Sequence, residues 1–207
     1  MKQVKEYEKD LASIRTMMER STKFISLSGL SGVLAGIYAI AGAIAAYFII
    51  QYPISPFRYR VESATNPTIL SKLILIAVLV LLASISTGVL LSNRKAKKNG
   101  LKLWSAASRN LLLNLSIPLG AGGIFILIML YTGHYELAAP ASLIFYGLAL
   151  IQGSSTMFDE IRYLGFTEIA LGLICALYPG YGLIFWTIGF GLLHIIYGTI
   201  MYNKYDK

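Results

Sequence analysis

The chain has 207 residues, 56% of them hydrophobic and only 14% charged, with a formal charge of +8. A soluble domain carries roughly a quarter charged residues, so this composition, with a mean hydropathy of +0.65, excludes a water-covered globule and points to a bilayer. The Lys and Arg residues stand between apolar stretches, not on a basic face interleaved with aromatics, which argues against nucleic acid as a partner. Cys175 is the single cysteine, so no disulfide and no cysteine metal site is available, and its expected role is that of a small core hydrophobe.

Residues 1–23 do not read as a cleavable leader, because no short apolar run ends at a small-residue site. Val4, Tyr7, Leu11, Ile14 and Met18 alternate at spacings of three and four on an otherwise charged segment. That pattern predicts a short amphipathic cytoplasmic helix. Resting on the inner leaflet, or docking a second copy or a cytoplasmic protein, are both open to it.

A membrane-crossing helix needs about 20 apolar residues. Six stretches within 24–203 qualify, at about 24–50, 69–91, 110–131, 137–156, 162–178 and 181–201. The predicted fold is an all-α integral membrane protein of six transmembrane helices arranged as three helical hairpins. The first span carries a GxxxG pair, Gly32 and Gly36, extended by Gly29, Ala35, Ala39 and Ala43. Small residues let helices approach closely in lipid, either within the chain or between copies. Ser84 and Thr87 lie in the second span. Asn114 and Pro118 in the third predict a kink with locally satisfied carbonyls. Gln152 lies near the end of the fourth span, Glu168 in the fifth and His194 in the sixth, and Pro179-Gly180 makes a tight turn between the last two.

Orientation follows from the positive charges. Lys2, Lys5, Lys9, Arg15, Arg20 and Lys23 precede the first span. Arg94, Lys95, Lys97, Lys98, Lys102 and Arg109 fill the 92–109 loop, and Arg162, Lys204 and Lys207 follow on the same side. Only Arg58, Arg60 and Lys72 oppose them. Both termini are predicted to be cytoplasmic, with the basic residues against anionic headgroups.

Glycines recur with a hairpin period. Gly36, Gly123 and Gly172 each precede two bulky residues in the odd spans, and Gly88, Gly147 and Gly198 each precede a side-chain amide by five in the even ones. The expected reading is three parallel hairpin repeats whose glycines pack the helices. The run Leu164-Gly165-Phe166-Thr167-Glu168-Ile169-Ala170-Leu171-Gly172, through Pro179-Gly180-Tyr181-Gly182 to His194-Ile195-Ile196-Tyr197-Gly198, resembles the hairpin unit of the bacterial acid-resistance six-helix membrane protein family. The resemblance implies a small bacterial inner-membrane protein.

Ser84, Thr87, Asn114, Gln152, Glu168 and His194 all fall in the cytoplasmic half of their spans. An inward-facing polar cavity closed at its outer end would give this distribution, and so would hydrogen-bonded packing near the interface. Glu168 and His194 lie at matching depth on the arms of one tight hairpin, so contact is open to them, but the sequence does not fix the helical rotation and they could equally face apart. No catalytic triad, phosphate loop, metal motif or cofactor signature is present. The expected function is therefore non-enzymatic: handling or sensing a small solute or protons through this cluster, transporter-like in form. The alternative is an interaction protein that docks a cytoplasmic partner or anionic lipid through the N-terminal helix and the basic 92–109 loop.

Overall fold

The structure, a computed structural model, describes residues 27–50, 67–100 and 104–207. The amphipathic segment 1–23 and most of the 51–68 loop lie outside the described residues. Those described form helices and turns, with no strand among them. The helices are α1 (Gly29–Ile50), α2 (Pro67–Lys98), α3 (Ala106–Tyr131), α4 (Ala138–Gly153), α5 (Asp159–Leu177) and α6 (Gly182–Tyr205). Short 3-10 turns flank α4 at Tyr135–Leu137 and Ser154–Thr156.

Five of these helices, with the turns around α4 included, are long and apolar enough to cross a membrane: all but α5. In its 19 residues α5 carries Asp159, Glu160, Arg162 and Glu168, which lowers its apolar content. Large apolar side chains stand exposed around the bundle, among them Phe48, Leu75, Leu113, Ile117 and Leu127. None of the apolar stretch of α2 is buried. Such continuous apolar surface is untenable in water and natural in lipid, so this is a helical membrane protein.

Helix ends follow local chemistry. Gly100, with φ 67°, lets the backbone turn out of α2, and Asn99 N–H bonds back to the Lys95 carbonyl at 3.1 Å. Ser105 and Ser108 form a reciprocal capping box that starts α3. Gly180, with φ 96°, permits the turn from α5 into α6. Despite Pro118, α3 runs unbroken from Ala106 to Tyr131.

Packing departs from the three-hairpin expectation. α2 packs on α1 and α3 on α4, but the closest crossings are α4 with α5 and α1 with α6. The two arms of the third hairpin, α5 and α6, touch each other far less. Each close crossing is built from reciprocal glycine–isoleucine pairs. A methyl group built on Gly36 would lie 2.6 Å from the Gly191 carbonyl oxygen and 2.7 Å from Ile195 Cγ1, while one on Gly191 would meet Ile40 Cγ1 at 2.7 Å. Likewise a methyl on Gly147 would lie 2.6 Å from the Gly165 carbonyl oxygen, and one on Gly165 2.8 Å from that of Gly147. Ile169 and Ile151 are the neighbouring side chains. Gly172 sits against Pro140 and Ile144, and Gly32 and Gly198 meet backbone to backbone. The GxxxG pair of α1 thus faces α6 of the same chain.

Gly88 and Gly123 correct the expectation, since a methyl group on either would meet nothing within 4 Å. The α3–α4 contact uses Gly122, beside Phe145, in place of Gly123. A helix turns about 100° per residue, so a one-residue step moves a glycine off the contact face. α2 meets α1 through Ile76 and Val80 against Gly42, well away from Gly88.

The end of the bundle that carries the basic residues is filled. Ala107, Leu111, Leu150, Met157, Ile161, Leu164 and Met201 form a buried cluster, sealed by Phe158, Tyr197 and Tyr205. Around it Asp206 joins three helices. It accepts hydrogen bonds from Ser28 Oγ at 2.9 Å, from Gly29 N–H at 2.8 Å and from Lys95 Nζ at 2.5 Å. Lys95 also donates to the Leu27 carbonyl at 2.8 Å. Nearby, Glu160 accepts from Lys204 Nζ at 2.6 Å and from Tyr205 Oη. Partial burial pushes the Glu160 carboxyl up, but its hydrogen bonds from Lys204 and Tyr205 outweigh this and hold it below the ordinary carboxylate range.

Candidate functional site

Glu168 and His194 meet at the centre of the bundle. Glu168 projects from the middle of α5 and is fully buried, and His194 is 7% exposed. Their closest atoms, Glu168 Oε1 and His194 Nδ1, are 3.6 Å apart, beyond hydrogen-bond length. Both carboxylate oxygens are without a hydrogen-bond partner among the described residues.

The imidazole is fully engaged elsewhere. Its Nδ1 lies 2.9 Å from the Gly189 carbonyl oxygen and its Nε2 lies 2.8 Å from Tyr146 Oη. A carbonyl can only accept, so the network assigns the proton to Nδ1; in the neutral ring Nε2 then accepts from the Tyr146 hydroxyl. The backbone bears on this directly, because α6 runs as a π-helix over Thr187–Leu193 and returns to α-helix at His194. Such wide turns are rare and gather at functional sites. Here the wide turn contains Gly189, whose carbonyl accepts the hydrogen bond from His194 Nδ1–H. A methyl group on Gly189 would lie 2.6 Å from Glu168 Oε2, so the carboxylate occupies the space that the missing side chain leaves.

Glu168 and His194 also hold matching register. Each is the third residue after a contact glycine and directly precedes a contact isoleucine, in Gly165-Phe166-Thr167-Glu168-Ile169 and Gly191-Leu192-Leu193-His194-Ile195. The close crossings thus fix the rotation of both helices.

An aromatic stack leads away from the pair. Tyr146 and Phe190 have ring centroids 5.1 Å apart, Phe190 lies 5.9 Å from His194, and Trp186 lies 5.1 Å from Phe190. Trp186 lines a cavity of about 300 Å³ at the end opposite the basic one, together with Ile50, Leu70, Leu130, Tyr135 and Gly182.

The cavity at that end is not the inward-facing polar one that the sequence left open: its walls are mostly aliphatic, and neither Glu168 nor His194 lines it. Nor do Ser84, Thr87, Asn114 and Gln152. Ser84 and Thr87 hydroxyls donate within their own helix, to the Val80 carbonyl at 2.7 Å and the Ala83 carbonyl at 2.8 Å. Asn114 is half-buried and Gln152 is exposed. Polar depth in the sequence reflected self-satisfied hydroxyls and scattered amides more than a shared site.

No family model, curated protein or solved structure matches this chain.

Sequence reasoning overlooked Tyr146, which completes the pair. A signal existed: Tyr146 stands mid-span in an apolar helix, where its hydroxyl needs a partner. Among the described residues no group of three or more His, Cys, Asp or Glu side chains could hold a metal ion.

Proposed function

We propose that this chain is a small, non-enzymatic bacterial inner-membrane protein that senses or handles protons through Glu168, His194 and Tyr146. The carrying observation is the Glu168 carboxyl group, fully buried, without a donor among the described residues, and 3.6 Å from an imidazole. An isolated charge mid-membrane costs roughly 2.5–3.5 kcal/mol on insertion scales. Glu168 avoids that cost by holding a proton, or offsets it when His194 becomes imidazolium. The pair is thus a place where one proton changes the charge of the bundle's centre, and the Tyr146 hydroxyl can reverse its bond to Nε2 when the ring gains a proton.

In this reading all six helices cross the membrane, α5 included, with the basic end and both termini cytoplasmic. The close antiparallel run of α5 along α4, through Gly165 on Gly147 and Gly172 on Ile144, supports α5 as a crossing. Exposed Lys97 and Lys98, and Trp104 at 68% exposure, support contact with anionic headgroups at that end, which is also what the interaction-protein alternative would use.

Infrared difference spectroscopy between about pH 4 and about pH 9 tests the proton site. The expected result is a buried carboxyl band that titrates in the native chain and is absent in Glu168→Gln. An identical spectrum in the variant refutes the reading. Orientation is tested with an impermeant thiol reagent on whole cells, after Cys175→Ser. Thr132→Cys is expected to label and Asn99→Cys not, and the reverse pattern overturns the topology.

A further inference from the structure

The cavity opposite the basic end plays no part in the proton reading and has a chemistry of its own. Its walls are Gly42, Ala43 and Ala46 of α1, Leu73 and Ala77 of α2, Ile126 and Leu130 of α3, with Trp186 from α6. Ser142 also lines it, but its hydroxyl is spent on the Ala139 carbonyl at 2.7 Å. The remaining polar lining, Tyr135 and Glu136, belongs to the turn that precedes α4, at the rim. Among the described residues inside, the Trp186 indole N–H is the one side-chain donor left to meet a polar solute. The rest of the wall is matched to hydrocarbon.

The cavity's side wall is incomplete. α2 leans on α1 and α3 leans on α4, without substantial packing between α2 and α3. Both helices present exposed apolar side chains to their surroundings, Leu75 and Leu79 on α2 and Ile124 and Leu127 on α3. What stands outside that gap is the bilayer's own hydrocarbon. We propose that the cavity holds an acyl chain of a phospholipid from the leaflet opposite the basic end, entering sideways between α2 and α3, with its headgroup at the level of Tyr135 and Glu136.

An acyl chain is a narrow rod, and the small residues Gly42, Ala43, Ala46 and Ala77 recess the walls to its width. Lipid tails are as apolar as this lining, so no hydrophobic gain holds the chain there. Retention comes from dispersion contacts with fixed walls, and the site therefore selects by shape.

Trp186 reports on the site because the chain has two tryptophans, and Trp104→Phe leaves Trp186 alone. The protein is placed in vesicles of phosphatidylcholine brominated along its acyl chains, and Trp186 emission is compared with that in unbrominated vesicles. The expected result is strong quenching by the brominated chains and little by aqueous iodide. Ala77→Phe, which fills the cavity from an exposed position on α2, should at least halve the acyl-chain quenching. Iodide quenching that exceeds the bromine effect would show a water-filled cavity and overturn the proposal. Quenching by neither probe would show protein in the cavity, from a second copy or from residues 51–66, and would also overturn it. Undiminished quenching in Ala77→Phe would mean that bulk lipid alone reaches Trp186, which refutes the proposal equally. Should Ala77→Phe fail to fold, the comparison of bromine with iodide on the Trp104→Phe chain decides by itself.

Discussion

Replacing Asp206 by alanine removes the junction of α1, α2 and α6 at the basic end. Asp206 caps α1 through Ser28 Oγ and Gly29 N–H and pairs with Lys95. Loss of a helix cap costs about 1 kcal/mol, and loss of a hydrogen bond to a charged group about 1.5–3 kcal/mol. The side chains of Lys95 and Asp206 are 14% and 8% exposed, so solvent screens the pair only weakly. Lys95 keeps its bond to the Leu27 carbonyl, which limits the loss. The expected destabilisation is about 2–3 kcal/mol for Asp206→Ala. Asp206→Asn, which retains an acceptor for the cap, should cost about 1–2 kcal/mol. Reversible unfolding in mixed micelles with increasing dodecyl sulfate, followed by circular dichroism, measures these differences. A double-mutant cycle with Lys95→Met isolates the pair, and its coupling should be about 1–2 kcal/mol. A coupling below about 0.5 kcal/mol, within the additivity expected of independent sites, would refute the claim that Lys95 and Asp206 act together.

The same unfolding assay separates contact glycines from idle ones. Gly147→Ala, whose methyl would press on the Gly165 carbonyl, should destabilise by about 1–3 kcal/mol, whereas Gly88→Ala and Gly123→Ala, facing open space, should be neutral or gain up to about 1 kcal/mol of helix propensity. The contact of Glu160 with Lys204 and Tyr205 should weaken in acid. A carboxyl held below its ordinary value of 4.5 contributes stability that is present above that value and is lost as pH falls through the lowered one. Stability measured against pH in the acid range should therefore fall more steeply in the native chain than in Glu160→Gln; equal slopes would show that the contact adds nothing.

Helix positions were readable because each follows from a run of apolar residues, and the structure places helices in all six predicted stretches. Pairing was not readable. The glycine period suggested three separate hairpins, yet one tight crossing joins α1 to α6, far apart in the chain, and the other joins α4 to α5, across the expected hairpin boundary. Close approach depends on which face each glycine occupies, and the difference between Gly122 and Gly123 is one helical step that composition cannot resolve. Glu168 and His194 were legible as residues at matching depth because a short turn joins their helices. Whether they face each other was not legible, since the arms barely pack and the rotation is set by Gly165 against Gly147 and Gly191 against Ile40. Lys95 and Asp206, 111 positions apart, carry no sequence pattern that pairs them. Nothing in periodicity distinguishes a charge that turns inward from its neighbours.

The glycine–isoleucine crossings also divide the bundle mechanically. α1 with α6, and α4 with α5, are joined backbone to backbone and behave as stiff struts, while α2 and α3 lean on one strut each like outriggers. A helix gripped along one side has few contacts to break when it swings. Changes in charge between the struts, at Glu168 and His194, would be resisted at the crossings and relieved at the outriggers, so the gap between α2 and α3 is where this fold yields first.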